Sequence, residues 1–360
     1  MSGGSDRGDA RLGAGADRGL QFHDVPGFRL EAGEVVDVRQ AYRLVGTIDA
    51  DRRNVVLLFH SLTGNTDAAG WWPGVVGPGL AIDTLRYAVV CPNLLGSCYG
   101  TTYRRAPGAE GPRPAITTRD QARLAGLLLD HLGVAAVALA SGGSLGGMVT
   151  LEWAASFPGR ARLAIAFASP AVQSAYAQGW NLIQRRAIEL GGEEGLAVAR
   201  MVGMMTYRTA DELDARFLGR PGGPEPHAVQ TYLRRHGEKL VERFDTESYL
   251  SLMETMDGHD VGRGRGGVGP ALRPFEGRLV GVGIPGDLLY RDDEVKSWAE
   301  EGGAAFRYLA SSHGHDGFLL ERRAVAKLIE EELLLDGGGR AARPAPASFR
   351  LTTREGAAAS

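Results

Sequence analysis

A serine set among glycines is the clearest sign of chemistry in this sequence. Residues 142–146 read Gly-Gly-Ser-Leu-Gly, which fits the pattern G-x-S-x-G. The apolar residues 134–140 before it predict a buried strand, and residues 148–155 after it predict a helix. A serine on a tight strand-to-helix turn is presented at the edge of a sheet for nucleophilic attack. We therefore interpret Ser144 as a nucleophile rather than as an incidental residue of a glycine-rich turn.

A serine hydroxyl is a weak nucleophile, so it needs a neighbouring base and an acid that orients the base. When the serine lies on such a turn, the acid and then a histidine follow it along the chain. Asp287 comes directly after residues 279–284, which predict a strand. His315 follows another predicted strand, residues 305–309, and precedes the last predicted helix. Ser144, Asp287 and His315 are therefore the candidate catalytic residues.

Three nearby residues are alternatives to this acid and base. Asp292 and Asp293 lie close to Asp287, but we interpret them as N-cap and first-turn carboxylates of the following helix. His313 is close to His315 in the sequence and could point in the other direction. The joint placement of serine, acid and histidine in the expected order favours Asp287 and His315.

Attack by a serine on a carbonyl carbon creates an oxyanion, which backbone N–H groups stabilise. The first predicted donor is the N–H of Leu145, directly after the serine. The second is expected from the loop of residues 60–64, after the early apolar residues 54–59, and Leu62 is the candidate. We expect His60 to order this loop rather than to act as the base.

The elements that must position these residues follow an alternating pattern. Apolar runs and amphipathic stretches alternate along residues 21–172 and 271–335. This rhythm predicts an α/β fold with a mostly parallel central sheet and helices on both faces. One helix is expected at residues 118–132, where Thr118 and Gln121 fit a capping box.

The segment between the two core regions, residues 173–270, lacks strand-like runs and predicts an inserted, all-helical cap. Its predicted helices are residues 195–206, 210–217, 228–244 and 248–257. The glycine-, alanine- and arginine-rich ends, residues 1–20 and 336–360, are predicted to be disordered.

The composition of the 360-residue chain excludes several classes of protein. Its formal net charge of −3 gives no reason to expect nucleic acid or an anionic membrane as a partner. No run approaches the ~18 apolar residues of a membrane span, and the first residues do not resemble a secretion signal. The 2 cysteines form neither a disulfide framework nor a metal site. We expect a cytoplasmic protein without a metal.

These segments together resemble the homoserine O-acetyltransferases, acyl-CoA-dependent members of the α/β-hydrolase superfamily. The resemblance runs over most of the chain, and so many motifs in one order are far more specific than the serine turn alone. The motifs include Leu30-Glu31-Ala32-Gly33-Glu34, His60-Ser61-Leu62-Thr63-Gly64, Gly96-Ser97-Cys98-Tyr99-Gly100, Gly142-Gly143-Ser144-Leu145-Gly146, Ala199-Arg200-Met201, Thr206-Tyr207-Arg208, Arg243-Phe244-Asp245 and Gly314-His315-Asp316.

The resemblance implies an α/β-hydrolase fold and a two-step acyl transfer. Ser144 would take the acyl group from acetyl-CoA, a co-substrate, and His315 would activate the hydroxyl of L-homoserine to remove it. The resemblance also implies that Arg200 binds the carboxylate of the amino acid, that Tyr207 lies beside it, and that Asp316 binds its amine. It implies a homodimer through the cap and no permanently bound cofactor.

The sequence departs from the family pattern at three places. Tyr103 and the two arginines after it replace the usual Gly-Pro, Leu145 replaces a common Met, and residues 184–196 are a shortened cap stretch. The acyl donor and acceptor therefore stay open, because relatives succinylate homoserine or acylate serine. The main rival is an esterase or other hydrolase with the same triad. Arg200 and Asp316 favour transfer, because a hydrolase needs no amino-acid clamp.

Overall fold

The computed structural model of the protein describes residues 19–223 and 225–337. Its strands are β1 (Leu20–Arg29), β2 (Val35–Val45), β3 (Val55–Phe59), β4 (Val76–Gly77), β5 (Ile82–Asp83), β6 (Ala88–Pro92), β7 (Thr102–Arg105), β8 (Val137–Gly143), β9 (Ala161–Phe167), β10 (Arg278–Gly283) and β11 (Ala305–Tyr308). Its helices are α1 (Ala68–Trp71), α2 (Thr118–His131), α3 (Leu145–Ser156), α4 (Ala175–Tyr207), α5 (Ala210–Phe217), α6 (Ala228–Val241), α7 (Thr246–Asp257), α8 (Val268–Leu272), α9 (Asp292–Gly302), α10 (Gly317–Leu320) and α11 (Arg322–Gly337).

The two ends predicted to be disordered lie almost wholly outside the described residues. At their inner limits the prediction was wrong by a residue or two. Strand β1 already begins at Leu20, and α11 continues to Gly337.

The main sheet has the strand order β1-β2-β6-β3-β8-β9-β10-β11, with β7 also paired to β2. Pairing is antiparallel at β2 and parallel from β6 to β11. The predicted, mostly parallel sheet is therefore confirmed. Parallel strands end at the same edge, so residues 60–64, Ser144, Asp287 and His315, which follow β3, β8, β10 and β11, meet along one edge.

The central strands are buried on both faces, which explains their continuous apolar runs. In β3, Val55, Leu57 and Phe59 pack into one cluster with residues of α2, α3 and α9. Val56 and Leu58 point the other way, into a second cluster with residues of α1 and α11. The period of two along the strand thus buries the sheet between two layers of helices.

The capping box of α2 lies one residue earlier than the sequence predicts. The hydroxyl of Thr117, not Thr118, accepts from the N–H of Asp120 at 3.2 Å, and the Asp120 carboxylate accepts from the Thr117 N–H at 3.0 Å. Asp120 also accepts from the N–H of Glu31 at 2.8 Å. The capping rule favours Glu or Gln at this position, and it therefore pointed to Gln121 instead of the shorter aspartate.

Between β9 and β10 the described residues form helices and no strand longer than an isolated bridge. We call α4–α7 the helical insertion. Its first helix begins at Ala175, although the sequence predicts helix only from residue 195. Gly192 interrupts it with φ 56° and ψ −122°. Because Leu182 and Ile183 in the first half are exposed, that half shows no single apolar stripe. None of the described helices has the length and hydropathy that crossing a membrane requires.

A buried carboxylate fixes the arginine- and glycine-rich loop of residues 262–267, between α7 and α8, on the core. Glu152 of α3 is fully buried and lies 2.8 Å from the Arg265 guanidinium and 3.4 Å from that of Arg119. Glu31 lies 2.8 Å from Arg119 and 2.9 Å from Arg263. A buried carboxylate is tolerated only with such partners, so these arginines have a structural role at the junction between the insertion and the core.

Candidate active site

Ser144 has a backbone conformation that side chains rarely adopt, with φ 58° and ψ −126°. Its N–H donates to the carbonyl of Phe167 at 3.0 Å, and its carbonyl accepts from the N–H of Gly147 at 2.9 Å. Its hydroxyl makes no capping hydrogen bond to α3. Strain of about 1–3 kcal/mol at such a residue persists only where the surroundings enforce it. The turn thus holds a strained serine whose hydroxyl has no structural task.

Close packing requires glycine both two residues before and two residues after Ser144, at Gly142 and Gly146. A β-carbon on Gly146 would lie 2.1 Å from the carbonyl oxygen of Phe59, and one on Gly142 would lie 2.6 Å from the same oxygen. No side chain fits at either position, so α3 begins directly against the end of β3. This approach brings residues 60–64 beside Ser144.

Asp287 and His315 lie in direct contact. The Oδ2 atom of Asp287 is 2.7 Å from Nδ1 of His315. The other oxygen, Oδ1, accepts from the N–H groups of Leu289 at 2.8 Å and Tyr290 at 3.0 Å. The side chains of Asp287 and His315 are 0% and 3% exposed. The carboxylate is therefore fixed on one side by the backbone and on the other by the imidazole.

Aromatic rings enclose the imidazole of His315. The ring centroids of Tyr207, Tyr290 and Phe318 lie 5.6, 5.3 and 5.8 Å from its own. Phe318 also touches the serine turn, because a β-carbon on Gly143 would lie 2.3 Å from its ring. The Nε2 atom of His315 is buried and has no hydrogen-bond partner among the described residues. A hydrogen bond from a nucleophile to its base often tightens only when substrate binds.

The charge of Asp287 decides the basicity of His315. Burial alone would lower the pKa of the imidazole, because it disfavours the charged form. The attraction of the Asp287 carboxylate and the hydrogen bond to it outweigh burial, so the pKa of His315 is raised above its ordinary value of 6.5. The arrangement can therefore accept a proton at Nε2 and stabilise the resulting imidazolium.

His60 orders the loop of residues 60–64, as its position in the sequence suggested. Its buried Nε2 accepts from the N–H of Leu94 at 3.0 Å, so Nδ1 carries the proton and donates to the carbonyl of Ser61 at 2.8 Å. Burial lowers the pKa of His60 to about 4, which keeps the ring neutral. The Ser61 hydroxyl donates to the carbonyl of Gly143 at 3.0 Å and ties the loop to the serine turn.

The backbone N–H groups of Leu62 and Leu145 have no acceptor among the described residues. Leu145 begins α3, and the first N–H groups of a helix lack intrahelical acceptors. Arg243, which lies after α6 and has no role predicted from the sequence, donates to the carbonyl of Thr63 at 2.7 Å. One unused N–H group therefore lies directly after Ser144, and the other lies on the loop of residues 60–64. Hydrogen bonds of Ser61 and of Thr63 hold that loop in place.

Arg200 and Tyr207 lie on α4, on the side of His315. The Arg200 guanidinium carbon lies 5.5 Å from the centroid of the Tyr207 ring, and that ring lies 5.6 Å from the His315 ring. No described carboxylate forms an ion pair with Arg200. Its charge is therefore available to an anion and is not used in a surface salt bridge.

Asp316 forms an ion pair with Arg208, a residue without a role predicted from the sequence. Its Oδ2 lies 3.2 Å from Nη2 of Arg208, and Arg208 also donates to Glu212 at 3.0 Å. His313 lies 3.1 Å from the same glutamate, whereas Asp287 is paired with His315. The spacing of four residues between Arg208 and Glu212 is a signal that could have revealed their pairing.

Asp292 and Asp293 lie in the first turn of α9, as the sequence predicts. The N-cap residue is Arg291 rather than Asp292. Asp293 forms an ion pair with Arg291 at 2.8 Å. Both aspartates thus lie where negative charge favours a helix start, and Asp287 is the carboxylate in contact with His315.

The chain is similar to known proteins over most of its length. Residues 54–193 match the family model described as alpha/beta hydrolase fold. The homoserine O-acetyltransferase of Thermobifida fusca (strain YX) is 40% identical over 339 residues, which cover 84% of this chain and 89% of the relative. That of Salinibacter ruber (strain DSM 13855 / M31) is 42% identical over 337 residues, which cover 85% of this chain and 95% of the relative.

Solved structures show the same fold. The crystal structure of homoserine O-acetyltransferase from Staphylococcus aureus superposes with a TM-score of 0.78 at 31% identity, over 89% of this chain and 97% of that one. Esterase E22 also gives a TM-score of 0.78, at 20% identity, over 87% of this chain and 99% of its own. At that lower identity the likeness shows the fold alone.

Proposed function

The chain belongs to the homoserine O-acetyltransferase family, and from that premise we propose that it transfers the acetyl group of acetyl-CoA to the side-chain hydroxyl of L-homoserine. The observation that carries the proposal is the buried Asp287–His315 pair, at 2.7 Å, beside the strained turn of Ser144. The same arrangement would serve hydrolysis, so the choice of acceptor depends on the groups that bind the amino acid.

The first half-reaction loads the serine. Nε2 of His315 accepts the proton of the Ser144 hydroxyl as Oγ attacks the thioester carbonyl carbon. The carbonyl oxygen becomes an oxyanion, which accepts hydrogen bonds from the N–H groups of Leu62 and Leu145. When the C–S bond breaks, His315 returns the proton to the leaving CoA sulfur, and acetyl-Ser144 remains.

The second half-reaction repeats these steps with the amino acid. His315 accepts the proton of the homoserine hydroxyl, whose oxygen attacks the acetyl carbonyl. Collapse of the oxyanion breaks the bond to Ser144 Oγ, and His315 gives the proton back to the serine. Asp287 keeps the Nδ1–H of His315 directed at its carboxylate in both halves, which leaves Nε2 as the acceptor.

A zwitterionic acceptor needs one fixed cation and one fixed anion, which Arg200 and Asp316 supply in this proposal. Two observations support it. Arg200 lies over Tyr207 without a described carboxylate partner. Asp316 directly follows His315 and is held at 3.2 Å by Arg208. An amino acid held between them would present its hydroxyl to acetyl-Ser144 in preference to water.

The experiment that tests the proposal is a matrix of acyl donors and acceptors. Acetyl-, propionyl- and succinyl-CoA are each combined with L-homoserine, L-serine and water, and thiol release and product mass are measured. We expect acetyl-CoA with L-homoserine to give the highest kcat/KM. Faster release with water than with either amino acid would assign the chain to hydrolysis, and preference for succinyl-CoA would refute the acetyl donor.

Replacement of Arg200 by alanine is expected to raise the KM for L-homoserine by about tenfold to a hundredfold, the effect of losing a charge-assisted hydrogen bond. Formation of the acetyl-enzyme should stay near the wild-type rate. The KM is measured by thiol release, and the acetyl-enzyme by rapid quench. Arg186→Ala is the control, because Arg186 lies on the same helix and pairs with Glu189 on the surface. An unchanged KM in Arg200→Ala would refute the clamp.

The raised pKa of His315 predicts a pH profile. The base must be neutral to take a proton, and the Asp287 carboxylate outweighs burial and raises the pKa of His315 above its ordinary value of 6.5. We therefore expect kcat/KM to rise with pH through a midpoint above 6.5. The profile is measured with acetyl-CoA and L-homoserine over roughly pH 5 to 9, around the titration range of histidine. A midpoint below 6.5 would contradict the assignment of Asp287 as the stronger influence on His315.

The exposed apolar side chains of α4 support the proposal of a homodimer through the helical insertion. Leu182, Ile183 and Leu190 are 53%, 51% and 79% exposed. Apolar side chains grouped at a surface commonly mark a protein interface. Light scattering should give twice the mass of one chain, and Leu182→Asp with Ile183→Asp should give a monomer. A wild-type monomer would refute the proposal.

The cytoplasmic location stays a prediction.

A further inference from the structure

A cavity of about 310 Å³ lies between α5 and α6, and no step of the mechanism above uses it. The charged and aromatic side chains in its lining are Arg216, Phe217, Tyr232, Arg235, His236 and Lys239. No described aspartate or glutamate lines it. Its volume lies near the lower limit for small-molecule sites. A cavity of this composition favours an anionic ligand over a neutral or cationic one.

The cationic side chains that line this cavity are not held in ion pairs. No described carboxylate forms an ion pair with Arg216, Arg235 or Lys239. The adjacent Arg234, which is outside the lining, is paired with Glu225 at 2.5 Å. A cavity lined by charges of one sign concentrates the electric field, so three unpaired cations around it create a positive potential that attracts anions.

The pKa of His236 is lowered both by burial and by the cations around the cavity. Burial, followed by the charges of Arg200, Arg208, Lys239 and Arg216, lowers the pKa of His236 to about 4. Its imidazole is therefore neutral at pH 7 and can exchange hydrogen bonds with a phosphate ester. Cations from three elements, α4, α5 and α6, thus act on one ring.

The charge of Arg200 reaches both this cavity and the surroundings of the triad. The His236 ring lies 4.5 Å from that of Tyr232, and His236 is within the electrostatic range of Arg200. Arg200 lies over Tyr207 at 5.5 Å, and Tyr207 lies 5.6 Å from His315. Arg200 therefore acts electrostatically on His236 in the cavity and also lies against Tyr207, whose ring is next to His315.

We propose that this cavity binds the phosphorylated nucleotide end of acyl-CoA, with Arg216, Arg235 and Lys239 on its phosphates. The inference rests on the proposed function, because that function makes acyl-CoA the donor. CoA carries a pyrophosphate and a 3′-phosphate, and guanidinium and ammonium groups are the side chains that bind phosphate best. The long pantetheine arm would then pass Arg200 and Tyr207 to bring the thioester to Ser144.

The test measures CoA binding directly, so it does not depend on turnover. The dissociation constant of CoA is measured by titration calorimetry for the wild type and for the triple variant Arg216→Ala, Arg235→Ala and Lys239→Ala. We expect the wild type to bind CoA and the dissociation constant to rise by about thirtyfold or more in the triple variant, since the loss of one charged hydrogen bond to phosphate alone costs about tenfold or more. Dephospho-CoA lacks the 3′-phosphate, so its dissociation constant should rise less than that of CoA from the wild type to the triple variant.

Two matched variants and a shortened donor complete the test. Arg234→Ala, adjacent to Arg235 but paired outside the cavity, should bind CoA as the wild type does. Arg216→Lys with Arg235→Lys, which keeps the charges, should stay within about threefold of the wild type, because lysine also binds phosphate as a point charge. With S-acetylpantetheine, which has no nucleotide, the triple variant should keep the wild-type kcat/KM.

Three results would overturn the inference: a wild type that does not bind CoA, a triple variant with unchanged affinity, or an equal loss in Arg234→Ala. Failure of the proposed function would look different. It would appear as absent thiol release by the wild type with every donor and acceptor, whatever the affinities for CoA.

Discussion

Ser144→Ala is expected to lower kcat for acetyl transfer from acetyl-CoA to L-homoserine by about ten thousandfold or more. Removal of the nucleophile of a triad has effects of this order, because the remaining groups only stabilise charge and bind substrate. Alanine keeps the β-carbon that the strained turn already holds at φ 58°, so the fold should be unchanged. The loss should therefore be in chemistry and not in folding. Thiol release measures it, with thermal unfolding as the check on the fold.

Ser141→Ala is the matched control for this variant. Ser141 lies on β8, three residues before Ser144, and its buried hydroxyl donates to the carbonyl of Ile165 at 2.8 Å. The control loses a buried hydroxyl of the same strand, which destabilises by about 1 kcal/mol, and should keep nearly full activity. If Ser144→Ala retained wild-type turnover, the chain would have to use another nucleophile.

Asp287→Asn is expected to lower kcat by about a thousandfold to ten thousandfold, because the wrong tautomer of His315 would be favoured. Oδ1 of Asp287 accepts from the N–H groups of Leu289 and Tyr290, so the amide oxygen of an asparagine would take that position. Its NH₂ group would then face Nδ1 of His315, which must become the acceptor. The proton would move to Nε2, the atom that has to accept the proton of Ser144.

Asp293→Asn is the control, because Asp293 is an exposed carboxylate of the same region that pairs with Arg291. It should keep activity close to that of the wild type. The pH midpoint of any remaining activity in Asp287→Asn should also lie lower than in the wild type, since the charge that raises the pKa of His315 is gone. Near-normal turnover in Asp287→Asn would show that another acid orients the base.

The sequence identifies the residues at the sheet edge because their order is tied to the topology. A serine after one parallel strand, an acid after a later one and a histidine after the last must meet once the strands align. The role of His60 was also accessible, because it precedes the serine in the chain and belongs to a loop at that edge. Its hydrogen bonds to Leu94 and Ser61 agree with a role in ordering that loop.

Other features depend on contacts between segments that are distant in the sequence. The pairing of Arg208 with Asp316 joins residues more than a hundred positions apart, and so does that of Arg243 with Thr63. The first half of α4 was missed because its apolar residues are divided between a buried side, with Ala177 and Ile188, and an exposed side, with Leu182 and Ile183. The clustering of cations at Arg216, Arg235 and Lys239 appears only when α5 and α6 pack side by side.

The most direct test of the account is to trap the acyl-enzyme. The protein is mixed with acetyl-CoA without an acceptor, quenched in acid, and analysed by intact mass and by peptide mapping. We expect one acetyl group on Ser144, which L-homoserine removes much faster than water does, with O-acetyl-L-homoserine as the product. Steady turnover without an acetyl group on Ser144, or an acetyl group on another residue that L-homoserine discharges, would contradict the mechanism.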